Sequence, residues 1–355
     1  MSASNAKPTV NDVARVAGVS LATVDRVLNE RSGVRSITID KVQHAVAHLG
    51  YVRDAAAANL ARQRSYRLVF ILPDTDNGFV LALQRELAEQ SARLKHERTI
   101  IECISVSPFD PVAVVDALDQ LHARDVDGVA VFGPASPAVD DAVQRVSDQG
   151  IATVALVADL PESTCDHFVG IDNVAAGRTA AKLLGRFMAS SGQILVVTGS
   201  HLASDHVERV KGFEEVIATE FPALEVVASI EGHDDSDVVE DLLPSVFTNY
   251  PDISGIYSAA AGNRGLIRHL QQTGRYNDFM IVAHELTDNS RAALRDGIFD
   301  AVISQDSGHL VRSATRVLKA TADRIAFDQT QERIRIDIYL RENMPAQISE
   351  EETVS

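Results

Sequence analysis

From Leu68 onward the chain repeats one unit: a short apolar run, an amphipathic helical period, then the next run. Nine such runs are expected as strands, at Leu68–Leu72, Thr99–Val106, Gly128–Phe132, Ala152–Val157, Gln193–Thr198, Glu225–Ile230, Ile253–Tyr257, Met280–Ala283 and Ala301–Ser304. Strands alternating with helices predict parallel sheets joined by right-handed crossovers. Nine strands are too many for one compact core, so two α/β lobes are expected. Ligands of such sheets bind beyond the carboxyl ends of the strands, here in the crevice between the lobes.

The first 50 residues follow a different rule. They read as three short helices. Thr9 is placed to cap the first, with Asp12 in capping-box position. Val10, Val13, Ala14 and Ala17 recur at helical spacing on its inner face, and Gly18 makes the turn. Ser20 caps a second helix that turns Val24, Val27 and Leu28 inward. Residues 29–33 form a loop. A third helix carries Ile39, Val42, Val46 and Leu49 and stops at Gly50. Residues 51–66 are Ala-rich and basic, with few side chains for a core of their own. They are expected to form a linker that becomes helical only when supported. The polar, acidic segment Gln347–Ser355 is expected to be disordered.

Charge divides the chain at the same place. Among 355 residues the net charge is −17, which on average argues against a polyanion partner. Residues 1–67 hold ten Lys and Arg against five acids and are +5, so the remainder is −22. A small basic head on a large acidic body points to separate tasks. The two cysteines, Cys103 and Cys165, are too few for a disulfide framework or a four-cysteine zinc site, and both are expected to be buried free thiols. No apolar run approaches bilayer length, and residues 1–8 hold no signal-peptide core, so a cytoplasmic location is expected. There is no phosphate-binding loop, no G-x-S-x-G elbow and no H-E-x-x-H, and the eleven histidines lack ligand spacing. No enzyme activity, metal or cofactor is expected.

The run Thr9-Val-Asn-Asp-Val-Ala-Arg-Val-Ala-Gly-Val-Ser-Leu-Ala-Thr-Val-Asp-Arg-Val-Leu-Asn29, continued by Lys41-Val42 and Leu49-Gly50-Tyr51, resembles the helix-turn-helix of the lactose-repressor/galactose-repressor family of transcriptional regulators. The resemblance implies an all-α head at 1–50, a hinge at 51–66 and a two-lobed effector-binding and dimerisation body at 67–345. The body would have the periplasmic-binding-protein type I fold, each lobe a parallel sheet flanked by helices; residues 346–355 are the acidic tail. A second helix of about eight residues is about 12 Å long and suits a major groove about 12 Å wide. By resemblance Leu21, Ala22 and Arg26 read base edges, with Arg26 suited to guanine and the other two to a thymine methyl. Ser20, Thr23 and Asn29 are placed for phosphates. Leu60 matches the hinge leucine that wedges into the minor groove, which needs a homodimer. Two departures stand out: Asp25 where the family usually has Ser, and Arg53-Asp54 where it usually has Pro-Asn.

In the body the resemblance implies effector contacts from Asn77 and Phe79, from Asp172 in a D-N…G segment with Gly177, and from Arg209 in an R-x-x-G-F segment. It adds Asn263, Glu285 where Asp is typical, and Gln305 before Asp306. Carboxylates, amides and an Arg fork suit vicinal hydroxyls, so a sugar or polyol effector is expected. The whole reads as an effector-controlled regulator, most simply a repressor, on a pseudo-palindromic operator. Two alternatives stay open: a solute-binding protein or sensor without DNA function, and a regulator with a nucleobase or nucleoside effector.

Overall fold

The computed structural model describes residues 8–28, 32–51, 64–160, 165–188 and 191–346. The chain forms two compact units, residues 1–64 and 65–355. Asn29 and Leu60, most of the hinge and the acidic tail lie outside the described residues.

The head is three helices: α1 (Val10–Ala17), α2 (Leu21–Leu28) and α3 (Ser36–Leu49). Thr9 and Asp12 form the capping box, and Gly18 and Gly50 end α1 and α3 in the left-handed conformation that glycine adopts without strain. Val13, Ala14, Ala17, Val24, Val42 and Ala45 make a small closed core. Ala45 takes an inner position on α3, while Ile39 is only half-buried.

The body is two parallel sheets. The first has the order β2-β1-β3-β4-β5, with β1 Tyr66–Pro73, β2 Thr99–Val106, β3 Gly128–Val131, β4 Ala152–Leu156 and β5 His167–Val169. The second runs β11-β10-β9-β8-β6-β7, with β6 Gly192–Thr198, β7 Leu224–Glu231, β8 Ile253–Ser258, β9 Met280–His284, β10 Ala301–Ser304 and β11 Asp337–Tyr339. All nine expected strands form, and their mutual pairings are parallel. Three-residue β5 and β11 are additions; β11 closes its sheet antiparallel to β10. Helices follow the strands: α4 (Gly78–Leu94), α5 (Pro111–Asp119), α6 (Pro137–Asp148), α7 (Asn173–Phe187), α8 (Ser204–Glu220), α9 (Ser236–Asn249), α10 (Asn263–Thr273), α11 (Asp288–Arg295) and α12 (Ser307–Ala322).

Chain crossings unite the lobes. The chain passes to the second sheet after β5 and returns after β10, when α12 packs on β3 and β4. One apolar core therefore runs from Leu68, Phe70 and Leu72 through α7 and α12 to Phe213 and Tyr257. The cysteines are not buried as expected. Cys103 is exposed and Cys165 half-buried. The reason is topological: Cys103 lies on β2, the edge strand of its sheet, where cover is incomplete.

Candidate functional site

In the head, Ser20 Oγ accepts from the backbone N–H of Thr23 at 3.2 Å and so caps α2. The two hydroxyls also bond each other at 2.9 Å. Val24 points into the core, which turns Leu21, Ala22 and Arg26 outward; Leu21 is 49% exposed despite its apolar side chain. Arg15 is held by Asp12 at 3.0 Å. Thr9 and Arg15 together bring the Asp12 carboxyl down to about 2. The second helix thus presents an apolar pair and a guanidinium in one turn and a half.

In the body, the loops beyond β1, β3, β7, β8, β9 and β10 converge on one crevice of about 1390 Å³. It is lined by Asn77, Phe79, Arg209, Asn263, Glu285 and Gln305 of the expected residues. Asp172 stands outside it. That carboxylate is exposed and accepts from Ala175 N–H at 2.8 Å as the cap of α7. Its neighbour Asn173, 1% exposed, is the residue that reaches Arg209.

Arg209 is the hub. It is 2% exposed. Nε donates to Asn173 Oδ1 at 2.9 Å and Nη1 to the Ala259 carbonyl at 3.1 Å. Nη2 lies 3.5 Å from Glu285 Oε1 and 3.8 Å from Asp205 Oδ2. The sequence builds this hub by removing side chains elsewhere. A Cβ on Gly177 would overlap the Arg209 carbonyl, and one on Gly212 the Val174 carbonyl. The two glycines let α7 and α8 cross closely enough for Asn173 to meet Arg209.

Glu285 sits just past β9 with φ 65°, a conformation glutamate adopts only under constraint. Gln305 Nε2 donates to its Oε1 at 3.0 Å. Burial pushes the Glu285 carboxyl up; Arg209 opposes the rise. Beneath lies a second polar pair: Tyr257 Oη and His284 Nε2 are 2.9 Å apart, and Tyr257 stacks on Phe213. Burial drives the His284 ring well below its ordinary range, so it is neutral. Asn263 is already spent: Ser258 Oγ donates to its Oδ1 at 2.7 Å, and its Nδ2 donates to the His284 carbonyl at 2.9 Å. It braces the β8 and β9 loops against each other.

Asn77 likewise has structural partners. It caps α4 by accepting from Phe79 N–H at 2.9 Å, and its Nδ2 donates to Asp234 Oδ2 at 3.4 Å across the crevice. Arg264 pairs with Asp76 at 2.6 Å over the same gap. Phe79 is 7% exposed, packs mainly into the core and also lines the crevice.

Three lining residues escape a reading by motif: Asp205, His206 and Asp234. Asp205 precedes Arg209 by one helical turn, a spacing that puts both on one face. Asp234 follows β7 in the polar run His233-Asp234-Asp235, at a strand end where ligands gather. Among the described residues, no group of three or more His, Cys, Asp or Glu forms a metal site.

Fold and crevice together define a two-lobed ligand-binding body carrying a separate helix-turn-helix. Residues 68–324 match the family described as periplasmic binding protein domain, and residues 9–54 match bacterial regulatory proteins, lacI family. The chain belongs to the periplasmic binding protein domain family, whose model spans most of its length, and its head matches the lacI family of bacterial regulatory proteins. It is 27% identical to the HTH-type transcriptional regulator DegA of Bacillus subtilis over 59% of this chain, a match spanning 61% of that protein. It is also 27% identical to catabolite control protein A of Staphylococcus epidermidis over 69% of this chain and 71% of that one. Among solved structures, a solute-binding protein of Burkholderia graminis in complex with D-arabinose superposes with TM-score 0.71 at 19% identity, over 81% of this chain and 99% of that one. GanP, a glucose-galactose binding protein of Geobacillus stearothermophilus, gives 0.71 at 20% identity over 80% and 100%. These structures share the body's fold. No helix among the described residues is long and apolar enough to cross a membrane.

Proposed function

We propose that the chain is a sequence-specific DNA-binding transcriptional regulator whose operator affinity is set by a small molecule held in the crevice. The observation that carries this reading is the joining, in one chain, of a helix with Leu21, Ala22 and Arg26 turned outward to a crevice organised around the buried Arg209. Arg26 reads a guanine and the apolar pair a thymine methyl, while Ser20, Thr23 and Asn29 hold phosphates. The protein acts as a cytoplasmic homodimer on a pseudo-palindromic site, with Leu60 of each hinge wedged into the minor groove. A relative named as an HTH-type transcriptional regulator supports this role, as does the lacI-type head.

The effector is a sugar or polyol. Fold neighbours include a solute-binding protein in complex with D-arabinose and a glucose-galactose binding protein, and the crevice offers carboxylates, amides and a guanidinium in reach of hydroxyls. Effector contacts come from Arg209, Glu285 and Gln305, while Asn77, Asn263 and Asn173 hold the frame and Asp172 caps a helix. The protein binds and does not turn over its ligand.

Selection from a random duplex pool with the full chain tests the regulator reading. It is expected to return a pseudo-palindromic site whose binding weakens by about 1–3 kcal/mol in Arg26→Ala, with relaxed preference at one base pair per half-site. Recovery of no preferred sequence at low salt supports a sensor without DNA function instead.

A further inference from the structure

The floor of the crevice holds more negative than positive charge. Asp205, Asp234 and Glu285 line it, and Arg209 is the buried cation that meets Asp205 and Glu285. His206 Nδ1 accepts from Ser200 N–H at 3.2 Å, and its Nε2 lies 3.6 Å from Asp205 Oδ2. The arginines at the rim are committed or distant: Arg264 to Asp76, Arg291 to the Pro345 carbonyl, and Arg85 exposed on α4.

Three acceptor oxygens in this floor are buried and have no partner: Asp205 Oδ1, Asp234 Oδ1 and Gln305 Oε1. The Asp205 side chain is only 4% exposed. Gln305 already donates through Nε2 to Glu285, which leaves its oxygen for the crevice. Asp234 has Asn77 on Oδ2, and Gly199 makes room for the other oxygen, which a Cβ there would overlap. Buried acceptors without donors are costly, and buried carboxylates without cations more so. Burial pushes the Asp234 and Glu285 carboxyls up, against the pull of His206 and the Ala261 N–H at Asp234 and of Arg209 at Glu285. Phe132 lines both the crevice and a small apolar side pocket against the same two aspartates, so aromatic carbon lies beside them.

Resting on the effector reading above, we propose that the effector is a sugar or polyol bearing a protonated amine, its ammonium seated at Asp205 and Asp234 and a hydroxyl donating to Gln305. An ammonium brings three donors and one positive charge to a floor where three carboxylates face the one buried arginine. A neutral hexose would satisfy the oxygens and leave the charge uncompensated.

Calorimetric titration of the full chain with 2-amino-2-deoxyhexoses and 1-amino-1-deoxypolyols, each set against its neutral parent and its N-acetyl form near pH 7, tests the proposal. At least one amine is expected to bind about tenfold or more tightly than both counterparts. That preference is expected to shrink to within about twofold in Asp205→Asn and in Asp234→Asn, with melting curves confirming that both variants fold. Neutral sugars bound as tightly as their amines overturn the proposal and leave the effector reading standing. Binding of no amine overturns it too; the effector reading falls as well only if a thermal-shift screen of neutral sugars, polyols and nucleosides is also empty.

Discussion

Arg209 is buried because its neighbours are arranged to receive it: an amide oxygen, a backbone carbonyl and two carboxylates surround one guanidinium. Removing it leaves Glu285 as a buried charge without its cation. Arg209→Ala is expected to lower the stability of the body by about 3 kcal/mol or more and to abolish effector binding, read by melting and by calorimetry. Asp234 has the opposite sign. Its folded carboxyl is raised above its unfolded value, so its ionisation opposes folding above that range and the penalty disappears as pH falls through it. Asp234→Asn is therefore expected to raise the melting temperature of the ligand-free protein by a few degrees at pH 7, an advantage that fades toward pH 4. His206 and Asp205 face the same carboxylate, so the comparison is best made at each pH against wild type. No gain at pH 7 contradicts the account of an anion penalised by burial. Part of this site was legible in the sequence and part was not. Arg209, Glu285 and Gln305 stand in short motifs at strand ends. Asp205, His206 and Asp234 depend on which loops meet across the lobes, and that is fixed by packing far from them in the chain. Between Asp172 and Asn173 the choice turned on helix phase: the cap position faces solvent and the next residue faces α8.

The α7–α8 crossing is the element on which the crevice depends. With Gly177 and Gly212 facing carbonyls of the opposite helix, neither position has space for a methyl group. Gly212→Ala is expected to cost about 1–3 kcal/mol and to weaken effector binding through Arg209, although residue 212 does not line the crevice. Unchanged melting and unchanged affinity would contradict the close crossing. In the head, α1 depends on its capping box. The Asp12 carboxyl is lowered to about 2, so its contribution is complete above about pH 4, the unfolded range, and is lost as pH falls toward 2. Hydrogen exchange of the first turn of α1 is expected to rise over that interval, and Asp12→Asn to flatten the change. The long alternating strands were legible because apolar runs of four to eight residues are their own signal. β5 and β11 were not, since three residues carry no period. Their pairing comes from the neighbours β4 and β10.

Over the whole molecule the charge is divided by task. Residues 1–67, the proposed DNA-binding head with its hinge, carry +5 and are suited to phosphates, while the −22 remainder would be repelled by them, which leaves sequence-specific contacts to decide where the protein rests. Operator affinity is expected to fall steeply as salt rises from 50 to about 200 mM, and Lys41→Gln to reduce that slope by about one if Lys41 meets a phosphate. A flat salt response contradicts a phosphate-binding head. The central claim is that one ligand in the body alters affinity for DNA. The most direct measurement is fluorescence anisotropy of the full chain on the selected duplex, titrated without and with the compound identified by calorimetry. The account predicts a change in duplex affinity of about 5–150-fold, matched by an equal change in ligand affinity when the duplex is present. A duplex affinity that stays the same with the crevice saturated contradicts it.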